Sequence, residues 1–136
     1  MYEPFGFTDK DLLHDFSKPS IIWGIDGDWM VNIIPKSKPF YPTDHTGVLR
    51  VNDDSKVNYR YLAHKLEQLG QQEGFSRSKR VSMGALKKLS IIVPDIQKQN
   101  SSMTEVEKLE SLIRSEKGNM DKIQAEKTSI LNKYLN

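Results

Sequence analysis

The 136-residue chain contains no cysteine, which excludes a disulfide framework, a thiolate zinc site and a cysteine nucleophile. It has no run approaching the ~18 consecutive apolar residues that a membrane span requires. Its first residues, Met1-Tyr-Glu-Pro-Phe-Gly-Phe, have neither the basic region nor the apolar region of a signal peptide. The simplest location is the cytoplasm. A glycine-rich phosphate loop of the P-loop or dinucleotide type is also missing. His14, His45 and His64 fall in three different predicted elements with no i,i+4 pairing. Asp44 and His45 could supply two metal ligands, but no third is evident. A metal-dependent nuclease pattern is met only loosely, by Asp44 followed by Asp54-Ser-Lys56, and Asp53-Asp54 reads as a turn. The sequence therefore implies no catalytic residue, no metal and no cofactor.

Acidic residues are missing from one more place. Gly74 through Pro94 has none, while Arg77, Lys79, Arg80, Lys87 and Lys88 lie within it. The net charge of +2 decides little, but this local asymmetry points to an anionic partner. A solvated basic loop beside a neutralising helix would look the same.

The strongest periodic signal is in the last third. Val106, Leu109, Ile113, Met120, Ile123, Ile130 and Tyr134 fall on a 3,4-spaced ladder, with Glu116 and Lys127 at its two charged rungs. This is an a/d seam sustained over about four heptads. The predicted helix starts at Ser101 or Ser102, with Glu105 completing a capping box from Ser102. It would be roughly 50 Å long and would project beyond a small domain, so its seam requires another helix.

The preceding residues predict a small α+β domain. Thr8 to Phe16 offers an N-cap and one or two helical turns, with Leu12, Leu13 and Phe16 inward. Ser20-Ile-Ile-Trp-Gly-Ile and Asp28-Trp-Met-Val-Asn-Ile-Ile flank Asp26-Gly27, a hairpin signal. Thr46 to Val51 reads as a further strand. Asn58 is placed to cap a helix over Tyr59 to about Gln72, with Tyr59, Leu62, Ala63, Leu66 and Leu69 on one face and the Gly70 to Gly74 region at its end. A short helix over Gly84–Leu89 and an apolar strand, Ser90-Ile-Ile-Val, stopped by Pro94, complete the domain. The expected boundaries are 1–100 for the domain and 101–136 for the helix.

Two segments have the chemistry of nucleic-acid contact. Phe75-Ser-Arg-Ser-Lys-Arg-Val-Ser-Met alternates hydroxyls with cations, which makes Ser76, Arg77, Ser78, Lys79, Arg80 and Ser82 candidates. Lys36-Ser-Lys-Pro-Phe-Tyr adds Lys36, Lys38 and Tyr41. Arginine can read guanine bidentately, and serine and lysine suit phosphate oxygens. Trp23 and Trp29 read as core or strand-face residues rather than stacking platforms.

In this order the parts resemble a known family. Ile22-Trp-Gly-Ile-Asp-Gly-Asp-Trp-Met-Val-Asn-Ile-Ile-Pro, then Pro39-Phe-Tyr-Pro-Thr-Asp-His-Thr-Gly-Val-Leu-Arg-Val, resemble the target recognition domain of type I restriction-modification specificity subunits, or the equivalent C-terminal region of related N6-adenine DNA methylases. Tyr59-Arg-Tyr-Leu-Ala-His-Lys-Leu, the basic loop, and Pro94 with Gln99 follow in the family's order, and the long helix resembles its spacer helix. The resemblance runs from about Pro19 onward. It implies a non-catalytic reader of one half of a split double-stranded DNA target, docked to adenine methyltransferase subunits, with the helix packed as a coiled coil. Glu116 and Lys127 on the seam could pair as opposite charges across an antiparallel partner, whereas a parallel in-register pair would face like against like, so antiparallel packing is expected. A complete specificity subunit has two recognition domains and two helical regions, whereas this chain has one of each. The resemblance therefore implies helix pairing with a second copy or with the missing half of a longer chain. The rival readings are a coiled-coil scaffold without DNA specificity and a nuclease using Asp44, Asp54 and Lys56.

Overall fold

The computed structural model describes residues 15–135. The helical turns expected from Thr8, with Leu12, Leu13 and His14, lie outside the described residues. The chain divides into two units, Met1–Asn100 and Ser101–Asn136. In the first unit, β1 (Ser20–Gly24), β2 (Val31–Ile34) and β3 (Thr46–Leu49) form an antiparallel sheet in the order β2-β1-β3. They are followed by α1 (Tyr59–Gln72) and α2 (Met83–Lys87).

As the central strand, β1 is protected on both sides. Ile21 and Trp23 join Ala63, Leu66, Phe75 and Val81 in the core, while Ser20 and Ile22 on the alternate positions are also buried. Period-2 alternation places the first pair on the face that packs against α1. Burying a side chain such as Ile21 contributes roughly 1.5–3 kcal/mol. Trp23 is thus a core residue, as its strand position implied.

Helix α1 begins where its cap predicts. Asn58 Oδ1 accepts the backbone N–H groups of Arg60 (2.9 Å) and Tyr61 (3.2 Å), satisfying two of the first-turn donors that have no helical partner. The inward face includes Tyr61 and Gly70 as well as Ala63 and Leu66. Gly70 is there because the Trp29 indole lies against it, in the space a Cβ would need. Trp29 Nε1 donates to the Glu67 carbonyl at 2.9 Å, and its ring meets Phe75 edge-on at 5.3 Å.

That role for Trp29 corrects the expected hairpin. The β1–β2 pairing is antiparallel, but its register joins Trp23 to Val31, and residues 25–30 form a six-residue connection instead of a tight Asp26-Gly27 turn. The indole packs on α1, which takes 28–30 off the ladder. The expected strand over 90–93 is also corrected. No strand pairs with it among the described residues, and Ile92 is 86% exposed. Strand propensity describes side chains that fit a pleated, half-buried surface, and the sheet of the described residues, β2-β1-β3, does not include these residues. The short helix comes one residue early, at Met83, with Ser82 Oγ accepting from Ala85 N–H at 3.0 Å.

The long helix α3 spans Ile96–Leu135, beginning five or six residues before the expected start at Ser101 or Ser102. Its start is set by Asp95, whose carboxylate accepts the Lys98 N–H at 3.0 Å while its carbonyl accepts the Gln99 N–H. At 40 residues the helix is about 60 Å long. Within the Ser101–Asn136 unit, Leu109, Ile113, Met120, Ile123, Ile130 and Tyr134 are exposed, and Val106 is half-buried. Among the described residues no helix is long and apolar enough to cross a membrane.

Candidate nucleic-acid interface

The loop after α1 is built from its ends inward. Phe75 and Val81 are buried at 6% and 3% exposure and fix the two ends, leaving 76–80 outside. Ser76 and Lys79 exchange both backbone hydrogen bonds, each at 3.1 Å, so Arg77 and Ser78 form the tip of a tight turn. Ser76 Oγ lies 3.0 Å from Ser78 Oγ and accepts the Lys79 N–H at 3.3 Å. The serine hydroxyls of this stretch therefore shape the turn, and Ser82 caps α2.

Each cation of the loop has an acidic neighbour. Arg77 Nε is 3.2 Å from Asp28 Oδ1, and Arg80 Nε is 2.5 Å from Asp26 Oδ1. Lys79 Nζ donates to the Glu73 carbonyl at 2.6 Å, lies 3.9 Å from the Glu73 carboxylate, and sits over the Phe75 ring. Lys79 thereby covers a carbonyl just past the last turn of α1, where a cation opposes the helix dipole favourably. Three of the five cations of the acid-free stretch thus face carboxylates from outside it: two in the β1–β2 connection and one at the α1 C-cap.

Asp26 is held from two sides. His45, just before β3, places Nδ1 2.5 Å from Asp26 Oδ2, and the His45 carbonyl accepts the Ile25 N–H at 2.8 Å. The hydrogen bond from Arg80 is the main cause that keeps the Asp26 carboxyl below the usual aspartate range, with His45 adding to it. All these groups are well exposed, at 41% for Asp26 and 61–77% for His45, Arg77 and Arg80. Exposed pairs of this kind contribute little to stability in water, and both contacts are made through Nε.

The second candidate segment lies elsewhere. Lys36 follows β2, whose Ile34 pairs with Ser20 at the start of β1, whereas the Asp26–Asp28 connection leaves from Gly24 at its end. Four strand steps, about 13 Å, separate the two ends of the sheet. The turn is fixed by Ser37, at φ 63, whose N–H donates to the Phe16 carbonyl at 2.7 Å. Lys36, Lys38 and Tyr41 are exposed. Among the described residues Lys36, Lys38, Lys87 and Lys88 make no ion pair.

The residues of the loose nuclease pattern lie on either side of one strand. Asp44 precedes β3, and Asp54 and Lys56 follow it, with Lys56 paired to Asp53 at 3.5 Å. No group of three or more His, Asp or Glu residues able to hold a metal occurs among the described residues. Sequence reading missed Asp26 and Asp28 as partners of the arginines and His45 as the support of Asp26. The only available signal was the acidic Asp26-Gly-Asp28 turn itself, which carries no sign of which loop it faces.

A family model described as type I restriction modification DNA specificity domain matches residues 6–125. No curated protein and no solved structure matches the chain.

Proposed function

The chain belongs to the type I restriction modification DNA specificity domain family, and from that premise we propose that its 1–100 unit reads one half of a split double-stranded DNA target. The observation that carries this reading is the 75–82 loop, where Arg77 and Arg80 are exposed on a segment whose two ends are buried. A basic linker without structure would lack those anchors. In the reading, Arg77 and Arg80 face base edges. Lys87 at the end of the adjoining α2, Lys88 at its C-cap, and Lys36, Lys38 and Tyr41 at the other end of the sheet serve phosphates. The seam of α3 pairs antiparallel with an equivalent helix, from a second copy or from the other half of a longer chain. That pairing holds a second reader at a set distance along the duplex and offers adenine methyltransferase subunits a frame to dock on. The role is non-catalytic, needs no cofactor, and places the protein in the cytoplasm.

An electrophoretic shift with mixed-sequence duplex at two salt concentrations tests the reading. Salt-dependent binding is expected, and a coiled-coil scaffold would show none. Replacing Arg77 or Arg80 by alanine should cost about 1–3 kcal/mol and relax the target at one position. Replacing a phosphate-binding lysine should weaken all sequences alike and lower the salt slope by about one. Uniform loss for every one of these residues would leave non-specific binding alone.

A further inference from the structure

The carboxylates beside the basic loop are unexpected if the loop only binds phosphates. A phosphate-binding arginine gains from every donor it can turn toward the backbone, and an adjacent carboxylate repels that same backbone. An arginine that reads a base has a different requirement. It needs the fork formed by its terminal nitrogens held in one plane, because O6 and N7 of guanine accept two parallel hydrogen bonds. Holding the side chain at Nε leaves the terminal nitrogens for that purpose.

The pairs have that geometry. Arg80 meets Asp26 Oδ1 through Nε at 2.5 Å, and Arg77 meets Asp28 Oδ1 through Nε at 3.2 Å. Asp26 is itself anchored, since His45 Nδ1 lies 2.5 Å from its other oxygen. His45 is tied in turn to the β1–β2 connection by the Ile25 N–H. The two loops are further joined by the edge-on packing of Trp29 against Phe75. Arg80 is thus supported through Asp26 and His45 by the edge of the sheet, whereas Asp28, paired to Arg77, has no such second contact among the described residues.

We infer that Asp26, clamped by His45, is a positioning residue that holds the Arg80 guanidinium at Nε so that its terminal nitrogens read a guanine in the major groove. This rests on the DNA-reading role proposed above and deepens it by naming the base and the residue that orients its reader. Asp26 also has a cost, because its charge repels the phosphates. The structure therefore trades general affinity for discrimination at one base pair, and the two effects of removing Asp26 have opposite signs.

The test is a binding selection from a pool of duplexes randomised over a central stretch, using the full chain as wild type, Asp26→Asn, Arg80→Lys and Arg80→Ala. The wild type should enrich a motif containing guanine. Both Arg80 variants should lose preference for one guanine by about 5- to 150-fold. Asp26→Asn should lose preference at that same position while binding unselected duplex at least as tightly as the wild type and with a steeper salt dependence. Arg80→Lys keeps the charge and loses the fork, so it separates positioning from simple charge, and circular dichroism of each variant checks folding. Tighter binding of Asp26→Asn to every sequence with the guanine preference intact would reduce Asp26 to a neutralising charge and overturn the inference. So would an Arg80-dependent position that is not guanine, or a wild-type motif that no Arg80 variant changes; in the last case the DNA-reading role stands without it. If the wild type enriches no sequence, both fall.

Discussion

Gln99 and Asn58, far apart in sequence, are joined by a hydrogen bond in which the Gln99 side-chain oxygen accepts the Asn58 backbone N–H at 2.8 Å. The same side chain donates from Nε2 to the carbonyls of Lys56 (2.9 Å) and Pro94 (2.7 Å), and Gln99 is fully buried. One amide thus satisfies three backbone groups around the cap of α1 and the start of α3. Gln99→Leu would leave all three without this partner, beside a side chain that is itself fully buried. The expected loss is about 3 kcal/mol or more, because each buried orphan costs about 1–3 kcal/mol. Urea unfolding followed by circular dichroism measures it. A loss under about 1 kcal/mol, within the usual range of surface substitutions, would mean that water replaces the amide.

Two glycines in helices should respond to alanine in opposite directions. At Gly118 an added Cβ would meet nothing within 4 Å, so Gly118→Ala should stabilise the helix by about 1 kcal/mol from propensity alone. Gly70 faces the Trp29 indole. Gly70→Ala must displace that ring from Phe75 and from its hydrogen bond to Glu67, and a net destabilisation of about 1–3 kcal/mol is expected. Thermal unfolding of the two variants side by side decides the matter, and equal shifts would contradict the packing described for Trp29.

Stability should depend on pH through four exposed aspartates. Asp26 is held below the usual range by the hydrogen bond from Arg80, Asp15 and Asp53 by those from the Ser17 and Ser55 side chains, and Asp95 by that from the Lys98 backbone N–H. Because the folded chain holds these protons less tightly than the unfolded chain, their stabilisation is fully present above the ordinary aspartate value of about 3.9 and is lost as pH falls through the lower folded values. The melting temperature should be flat from about pH 7 to about pH 5 and fall below about pH 4. Asp26→Asn should flatten part of that fall. An unchanged acid limb would remove Asp26 from the set.

The charged rungs of the α3 seam give a test of orientation. Glu116 falls on a d position and Lys127 on an a position of the ladder that begins with Val106. In an antiparallel pair, a and d rungs of opposite strands meet and the two charges can neutralise each other, whereas a parallel in-register pair sets like against like. Single cysteines introduced at Glu116 and at Lys127 should form a mixed disulfide between two chains more readily than either forms with itself. Preferred self-pairing would refute the antiparallel arrangement and weaken the spacer role. Ile123→Lys, on the same seam, should shift sedimentation toward a single chain.

Much of the framework was legible in the residues because it depends on neighbours in sequence. The Asn58 cap and the apolar spacing of α1 act within a few residues, as does the 3,4 ladder of α3; α1 occurs where it was expected, and α3 contains its ladder although it begins earlier. The order of motifs was also enough to recognise the family. The errors came where a distant residue decides a local choice. Asp26-Gly27 has the composition of a tight turn, but Trp29 packs on Gly70 of α1 and the connection lengthens. Ile91, Ile92 and Val93 have the composition of a strand, but among the described residues no strand pairs with them. The Ser102 capping box was sound as a local signal, and Asp95 started the helix first.

The candidate site divides along the same line. Composition alone marked Arg77, Lys79 and Arg80 as the basic stretch, because charge and residue type are properties of the sequence. Only the tertiary structure decided that Asp26 and Asp28 face them, that His45 holds Asp26, and that Lys36 and Lys38 lie at the other end of the sheet. Ion pairs form between groups a few ångströms apart in space, and the fold alone sets which distant loops come that close.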